Sequence, residues 1–217
     1  MATSGPVGFD LDLTLINSRP AIMAAWSAVA RELGVAIDLD QVDQRMGIKL
    51  EDEVAYWFGP AEQANAADSY RTHYVRVAPE LTTLLPGAEE AIAAVRDAGE
   101  QAVIITAKHP VSVAPSLAAV GLRPDQLFTH VHGPEKAAVL ASLGAAVYVG
   151  DTPADMAAAG AAGAVGVGVA TGSFQAAELH AAGAHVVLAS LLDFPSCYAG
   201  LAAGGVPEIS APEKGRA

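Results

Sequence analysis

Apolar positions divide the chain into alternating runs of two periods. Val7 to Leu13 is a short apolar run with acidic residues at its end and reads as a buried strand. Downstream, Ile22, Trp26, Val29 and Leu33 recur at helical spacing, with Ser18 placed to cap that helix and Gly34 to stop it. Asp40 to Met46 suggests a short helix. Leu50, Val54, Trp57 and Phe58 mark the face of another, and Tyr70, Tyr74 and Val77 that of a third, closed by Pro79. From Ile16 to about Thr82 the pattern predicts helices and no strand.

After Pro86-Gly87 strands and helices alternate. Strands are predicted at Gln101–Thr106, Phe128–His132, Ala145–Val149, Val165–Val169 and His185–Leu188. Helices are predicted at Ala88–Ala98, Val111–Val120, Glu135–Leu143, Ala154–Ala162, Ala176–Ala182 and Leu191–Ala203. Such alternation implies a parallel sheet covered on both faces. The helical insert of about seventy residues after the first strand is far longer than an ordinary connection. The expected fold is therefore α/β: a Rossmann-like parallel sheet core, residues 1–15 and 83–203, with an inserted all-helical cap, residues 16–82. The Pro-, Gly- and charge-rich segment 204–217 is expected to be a loose tail.

Composition narrows the function classes. Of 217 residues, 52% are hydrophobic and 17% charged, as in a globular protein rather than a disordered one. A net charge of −12 with no Lys/Arg cluster argues against nucleic acid as a partner. The single cysteine, Cys197, forms no disulfide within the chain, and no leader-like or membrane-spanning run appears, so a cytoplasmic location is expected. The assembly expected is a monomer or homodimer.

In open parallel sheets, ligands collect at the carboxyl ends of the strands. Asp10 and Asp12 follow the first strand. Thr106 ends the second, with Ala107 beside it. Asp151 follows the strand Ala145–Val149, with Asp155 four residues on. Lys136 lies near the start of the preceding helix, and Lys108 competes with it for the role of the amine. Carboxylates with one hydroxyl and one amine suit phosphoryl transfer: they attract magnesium, a carboxylate attacks phosphorus, and Thr106 and Lys136 hold phosphate oxygens. The histidines lack metal-ligand spacing. His130 and His132 alternate on a predicted strand and read as structural, whereas His109 is placed near the phosphate end of the sheet.

Phe9-Asp10-Leu11-Asp12-Leu13-Thr14-Leu15 resembles the first motif, DxDx[TV], of the haloacid dehalogenase superfamily, and Gly150-Asp151-Thr152-Pro153-Ala154-Asp155 resembles its fourth, GDxxxD. Thr106 and Lys136 match the second and third in order. The likeness covers roughly residues 5 to 190 and is greatest to phosphoglycolate phosphatase-like members with a helical cap. It implies that Asp10 is the nucleophile and Asp12 the acid and base. Magnesium would be held by Asp10, the Asp12 carbonyl and Asp151, with Asp155 directly or through water. An aspartate at position 12 separates phosphatases from dehalogenases. The resemblance also allows a phosphomutase, a phosphonate hydrolase using Lys49 as an imine-forming lysine, or a silent binding module. Leu13 departs from the glycine many relatives carry, at a turn leading toward the cap. Arg45-Met46-Gly47-Ile48-Lys49 joins two cap helices where relatives read the leaving group, so Arg45, Gly47 and Lys49 are candidate substrate contacts; Arg45 and Lys49 equally suit solvent.

Overall fold

A computed structural model describes residues 4–205. The expected tail falls outside them apart from Gly204 and Gly205.

Eight strands and ten helices are described. The strands are β1 (Val7–Phe9), β2 (Ile16–Asn17), β3 (Thr83–Leu84), β4 (Ala102–Ile105), β5 (Gln126–Phe128), β6 (Val147–Gly150), β7 (Val165–Val169) and β8 (Val186–Leu188). Six of them form one sheet in the order β5-β4-β1-β6-β7-β8, and its pairings are all parallel. The strands are apolar almost throughout, as double-sided cover requires. Helices α5 (Ala88–Asp97), α6 (Pro110–Val120), α7 (Pro134–Leu143), α8 (Pro153–Ala162), α9 (Ala176–Ala181) and α10 (Phe194–Ala202) alternate with the later strands. The apolar layer containing Phe9, Ile104, Val149 and Phe194 lies on one side of the sheet. That containing Val103, Ile105, Leu140 and Tyr148 lies on the other. Cys197 is buried in the first layer.

Between β2 and β3 run α1 (Arg19–Leu33), α2 (Leu39–Gln44), α3 (Leu50–Trp57) and α4 (Gln63–Leu81). They share a core of Trp26, Val29, Val42, Val54 and Phe58. The aromatic Tyr74 packs instead with Ala21, Ala25 and Ala78, and its hydroxyl pairs with Ser116 of α6 at 2.9 Å. This contact ties the helical insert to the sheet core. No helix among the described residues is long and apolar enough to cross a membrane.

Several details depart from the sequence-based expectations. The first strand ends at Phe9 rather than Leu13, although Leu11, Leu13 and Leu15 are buried beyond it. The insert is not purely helical at its base: Ile16 pairs with Leu84 and Asn17 with Thr83 in an antiparallel ribbon astride the expected boundary. Strand β5 stops at Phe128, and His130 adopts a left-handed backbone with φ of 59°, so His130 and His132 do not alternate on a strand. Ser18 occupies the position before α1 without capping it; its hydroxyl is buried and has no partner among the described residues.

Candidate active site

Strand β1 is the pivot of the sheet. Its neighbours β4 and β6 lie on opposite sides, so the chain reverses direction of travel across the sheet here, where a crevice opens at the carboxyl ends. Asp10, Thr106 and Asp151 directly follow β1, β4 and β6 and are thereby brought together. The amide of Asp10 donates to the Val149 carbonyl at 2.8 Å, extending the β1–β6 ladder by one residue and fixing the direction of its side chain.

Oxygens of Asp10, Asp151 and Asp155 lie within 4.8 Å of one another, all buried. Lys136, at the first turn of α7, donates from Nζ to Asp10 at 2.9 Å and to Asp155 at 2.7 Å. One ammonium thus faces three carboxylates. Burial, against the pull of Lys136 and with the push of Asp155, raises the Asp10 carboxyl from 3.8 to about 7. Burial and then the charges of Asp10 and Asp155 push Asp151 well above the carboxylate range. Burial also works against the Lys136 ammonium, but Asp10 and Asp155 outweigh it and hold its pKa well above the usual lysine value. The cluster carries more negative charge than Lys136 offsets, which is the electrostatic setting of a hard divalent cation.

The donor set divides the work. Asp155 Oδ1 accepts from Lys136 and from the Tyr148 hydroxyl at 3.2 Å. Its Oδ2 accepts from the Thr152 hydroxyl at 2.6 Å and the Thr152 amide at 3.2 Å. The Thr152 hydroxyl in turn accepts from the Asp155 amide, closing a capping box at the start of α8. With both oxygens engaged and only 1% exposed, Asp155 fits support of an ion through water better than direct ligation. Asp151 Oδ1 accepts from the Thr14 hydroxyl at 3.0 Å, orienting the carboxylate. A hard divalent cation such as magnesium fits the residues present, and Asp10 and Asp151 would be its side-chain ligands.

Asp12 stands apart from this cluster. Of the four acidic residues singled out in the sequence, Asp10, Asp151 and Asp155 bring side-chain oxygens together, whereas Asp12 was expected near the metal only through its carbonyl. The fourth turns to Lys108, whose Nζ donates to Asp12 Oδ1 at 2.6 Å. The same ammonium lies 4.2 Å from the centre of the Tyr74 ring. Burial again opposes this charge, but Asp12 and Tyr74 outweigh it, and the Lys108 pKa is raised. The two lysines do not compete for one role: Lys136 serves Asp10, and Lys108 serves Asp12.

Thr106 is buried, and its hydroxyl accepts from the Lys108 amide at 3.2 Å, forming a tight turn around Ala107. Both line the same cavity of about 370 Å³ as Asp10, Asp12, Lys136 and Asp151. Arg45, Gly47 and Lys49 line it from the helical side. Arg45 is not free, however: Nε donates to Glu53 at 2.8 Å, and its guanidinium lies 4.0 Å from the Tyr56 ring centre. Lys49 is exposed at the start of α3. His109 caps α6 and packs edge-to-face with His130, which packs likewise with His132, so the three imidazoles form a row at the cavity wall.

Sequence reasoning missed several residues. Lys108, set against Lys136 for one role, instead lines the cavity and pairs with Asp12, and Thr14, Tyr148 and Thr152 supply positioning hydrogen bonds. Gly172 has no local signal at all, yet a Cβ there would occupy the space of the Asp151 carboxylate. Gly150 likewise leaves room for Asp155, since its Cβ would come within 2.5 Å of that side chain. Leu13 has φ of 59°, the left-handed conformation that glycine adopts without strain. The leucine accepts it with its side chain buried, and its carbonyl receives a hydrogen bond from the Thr171 hydroxyl.

The chain resembles many solved structures. A haloacid dehalogenase-like hydrolase family protein from Streptococcus pneumoniae shares 21% identity over 90% of this chain and 99% of its own, with a TM-score of 0.79. A predicted phosphoglycolate phosphatase from Haemophilus somnus 129pt shares 19% over 90% and 98%, with a TM-score of 0.78. CbbY from Rhodobacter sphaeroides, solved in complex with phosphate, shares 19% over 89% and 96%, with a TM-score of 0.75. These likenesses establish the fold. No curated protein matches the chain. The family model for haloacid dehalogenase-like hydrolases matches residues 7–138, and a second model, described as HAD-hydrolase-like, matches residues 127–194. Because the first match runs through more than half of the chain, from the β1 aspartates to Lys136, the protein belongs to the haloacid dehalogenase-like hydrolases.

Proposed function

We propose that this hydrolase is a magnesium-dependent phosphatase acting on a small phosphorylated metabolite through an aspartyl-phosphate at Asp10. The observation that carries the reading is the buried cluster of Asp10, Asp151 and Asp155 around one lysine, with Asp12 facing the same cavity two residues beyond Asp10. A dehalogenase of this superfamily lacks an aspartate at that second position. Phosphatase and phosphoglucomutase names among the structural neighbours lend the same chemistry further support.

Magnesium, held by Asp10, Asp151 and the carbonyl of Asp12 and supported by Asp155, would screen the phosphate charge from the attacking carboxylate. Lys136 fixes Asp10 through one oxygen, which leaves the other for attack. A bond forms between that oxygen and phosphorus as the ester P–O bond breaks. Asp12 gives its proton to the departing alcohol oxygen. Thr106 and Lys136 donate to the phosphate oxygens, where charge must be stabilised. Asp12 then takes a proton from the water that attacks phosphorus, and phosphate leaves with Asp10 restored.

The side chain of Lys108 matters in this sequence. Its ammonium holds Asp12 in place, and Tyr74 of α4 holds that ammonium in turn. A contact from the helical insert thus reaches the acid-base residue. Ile22, Trp26 and Tyr70 of the same insert line the cavity opposite the sheet edge, and cover of that kind limits the bulk water that reaches a phosphoryl group under attack.

Release of inorganic phosphate from p-nitrophenyl phosphate tests this reading. Turnover is expected with magnesium, and neither with EDTA nor in Asp10→Asn. Pure folded protein that fails to turn over a panel of phosphate esters in magnesium would favour a binding module instead.

A further inference from the structure

The cavity has two unlike ends. At the sheet edge it is lined by the carboxylates and lysines described above. Toward the helical insert it is lined by Ile22, Trp26, Met46, Leu50 and Tyr70, with Trp26 and Tyr70 rings 4.9 Å apart. Ile22, Leu50 and Tyr70 are only partly buried and line the space. A volume of about 370 Å³ lies in the range of sites that enclose ligands of drug size. A two-carbon leaving group would fill little of it.

The charges at this end do not suit an acidic leaving group. From the segment between α2 and α3 two cations line the cavity, Arg45 and Lys49, against three carboxylates from the first turn of α3, Glu51, Asp52 and Glu53. Arg45 is engaged by Glu53, and Glu53 also accepts from the Trp57 indole at 2.6 Å. Lys49 alone is left to meet an anion, at the solvent-exposed lip. His109 and His132 add little positive charge near neutral pH. Burial, with Arg71 and His130 beside His109 and Lys49 and His130 beside His132, lowers both below the ordinary imidazole value.

We infer that the alcohol portion of the substrate is uncharged and presents an apolar or aromatic face to Ile22, Trp26, Leu50 and Tyr70, so that the enzyme prefers monophosphates of hydrophobic alcohols over phosphoglycolate. This rests on the phosphatase reading above. The phosphate would sit at Asp10 and Lys136 and the apolar body beneath α1 and α4. Burying that body removes both ligand and cavity surface from water, which is the source of the preference.

A ladder of ethyl, butyl and hexyl phosphate, with 1-naphthyl phosphate and phosphoglycolate alongside, tests the inference in magnesium. The value of kcat/KM is expected to rise about fourfold per methylene buried and to be lowest for phosphoglycolate. Leu50→Ser is expected to lower the hexyl-to-ethyl ratio of kcat/KM about tenfold. Calorimetry with Asp10→Asn gives a readout without turnover: hexyl phosphate should bind more tightly than phosphoglycolate and with a negative heat-capacity change. A flat ladder, or phosphoglycolate as the best substrate, would overturn the inference while leaving the phosphatase reading intact. Loss of turnover on every ester, p-nitrophenyl phosphate included, would instead strike the phosphatase reading, and binding to Asp10→Asn would still decide the preference.

Discussion

Neutralising Asp10 should stabilise the metal-free protein even as it ends catalysis. Burial, opposed by Lys136 and reinforced by Asp155 and Asp12, raises its carboxyl from 3.8 to about 7. A carboxyl whose folded pKa lies above its unfolded one binds its proton more tightly in the fold. The stability it contributes is full below about 3.8 and is lost as pH rises through about 7. At roughly 1.36 kcal/mol per pH unit, that gap is worth about 4 kcal/mol at pH 8. Asparagine removes the buried charge, and the value of about 7 already counts the pull and hydrogen bond of Lys136 on that charge. The gain is then up to about 4 kcal/mol in EDTA at pH 8, or a Tm increase of roughly 8–16 °C for a protein of this size. At pH 5 wild-type Asp10 stays protonated in the fold, and the gain falls to less than about 2 kcal/mol. Thermal unfolding of both proteins in EDTA at the two pH values measures this. An asparagine variant less stable than wild type at pH 8, or an advantage that grows toward pH 5, would refute the reasoning.

Lys136→Met should leave Asp10 and Asp155 as buried, uncompensated carboxylates; a loss of about 3–5 kcal/mol is expected in denaturant unfolding at pH 8. Gly172→Ala sets a methyl group against Asp151 and should weaken magnesium binding about 10–100-fold by calorimetry, with the circular dichroism spectrum unchanged. Magnesium affinity should rise with pH up to about 7 as Asp10 gives up its proton. Asp151, also raised by burial, must give up its proton as well, so titrations in buffers of different ionisation enthalpy should show proton release on binding at and below that pH, and release independent of pH would contradict the assignment of these two ligands.

The parallel sheet was legible because its strands are short apolar runs, and the acidic residues at two of their ends named the site. The β2–β3 ribbon was not, because two residues per strand carry no periodicity. Strand β1 looked longer than it is because Leu11, Leu13 and Leu15 are buried in a loop, and burial rather than pairing set the pattern. The roles of Lys108 and Gly172 depend on approach in space. A lysine two residues past Thr106 gives no sign that it turns back to Asp12, and a glycine in a loop gives no sign that Asp151 fills its missing side chain. The tie of Arg45 to Glu53 left no mark in the sequence, because Glu53 lies one helix further on. His130 misled through its left-handed backbone, which an imidazole adopts here without any glycine to announce it.

The covalent step is open to direct observation. Wild-type protein quenched during turnover and reduced with borohydride should yield a peptide in which residue 10 has become homoserine, the product of reducing an aspartyl-phosphate. Reduction product at Asp12 or Asp151, or none at any aspartate while phosphate is still being released, would contradict Asp10 as the nucleophile.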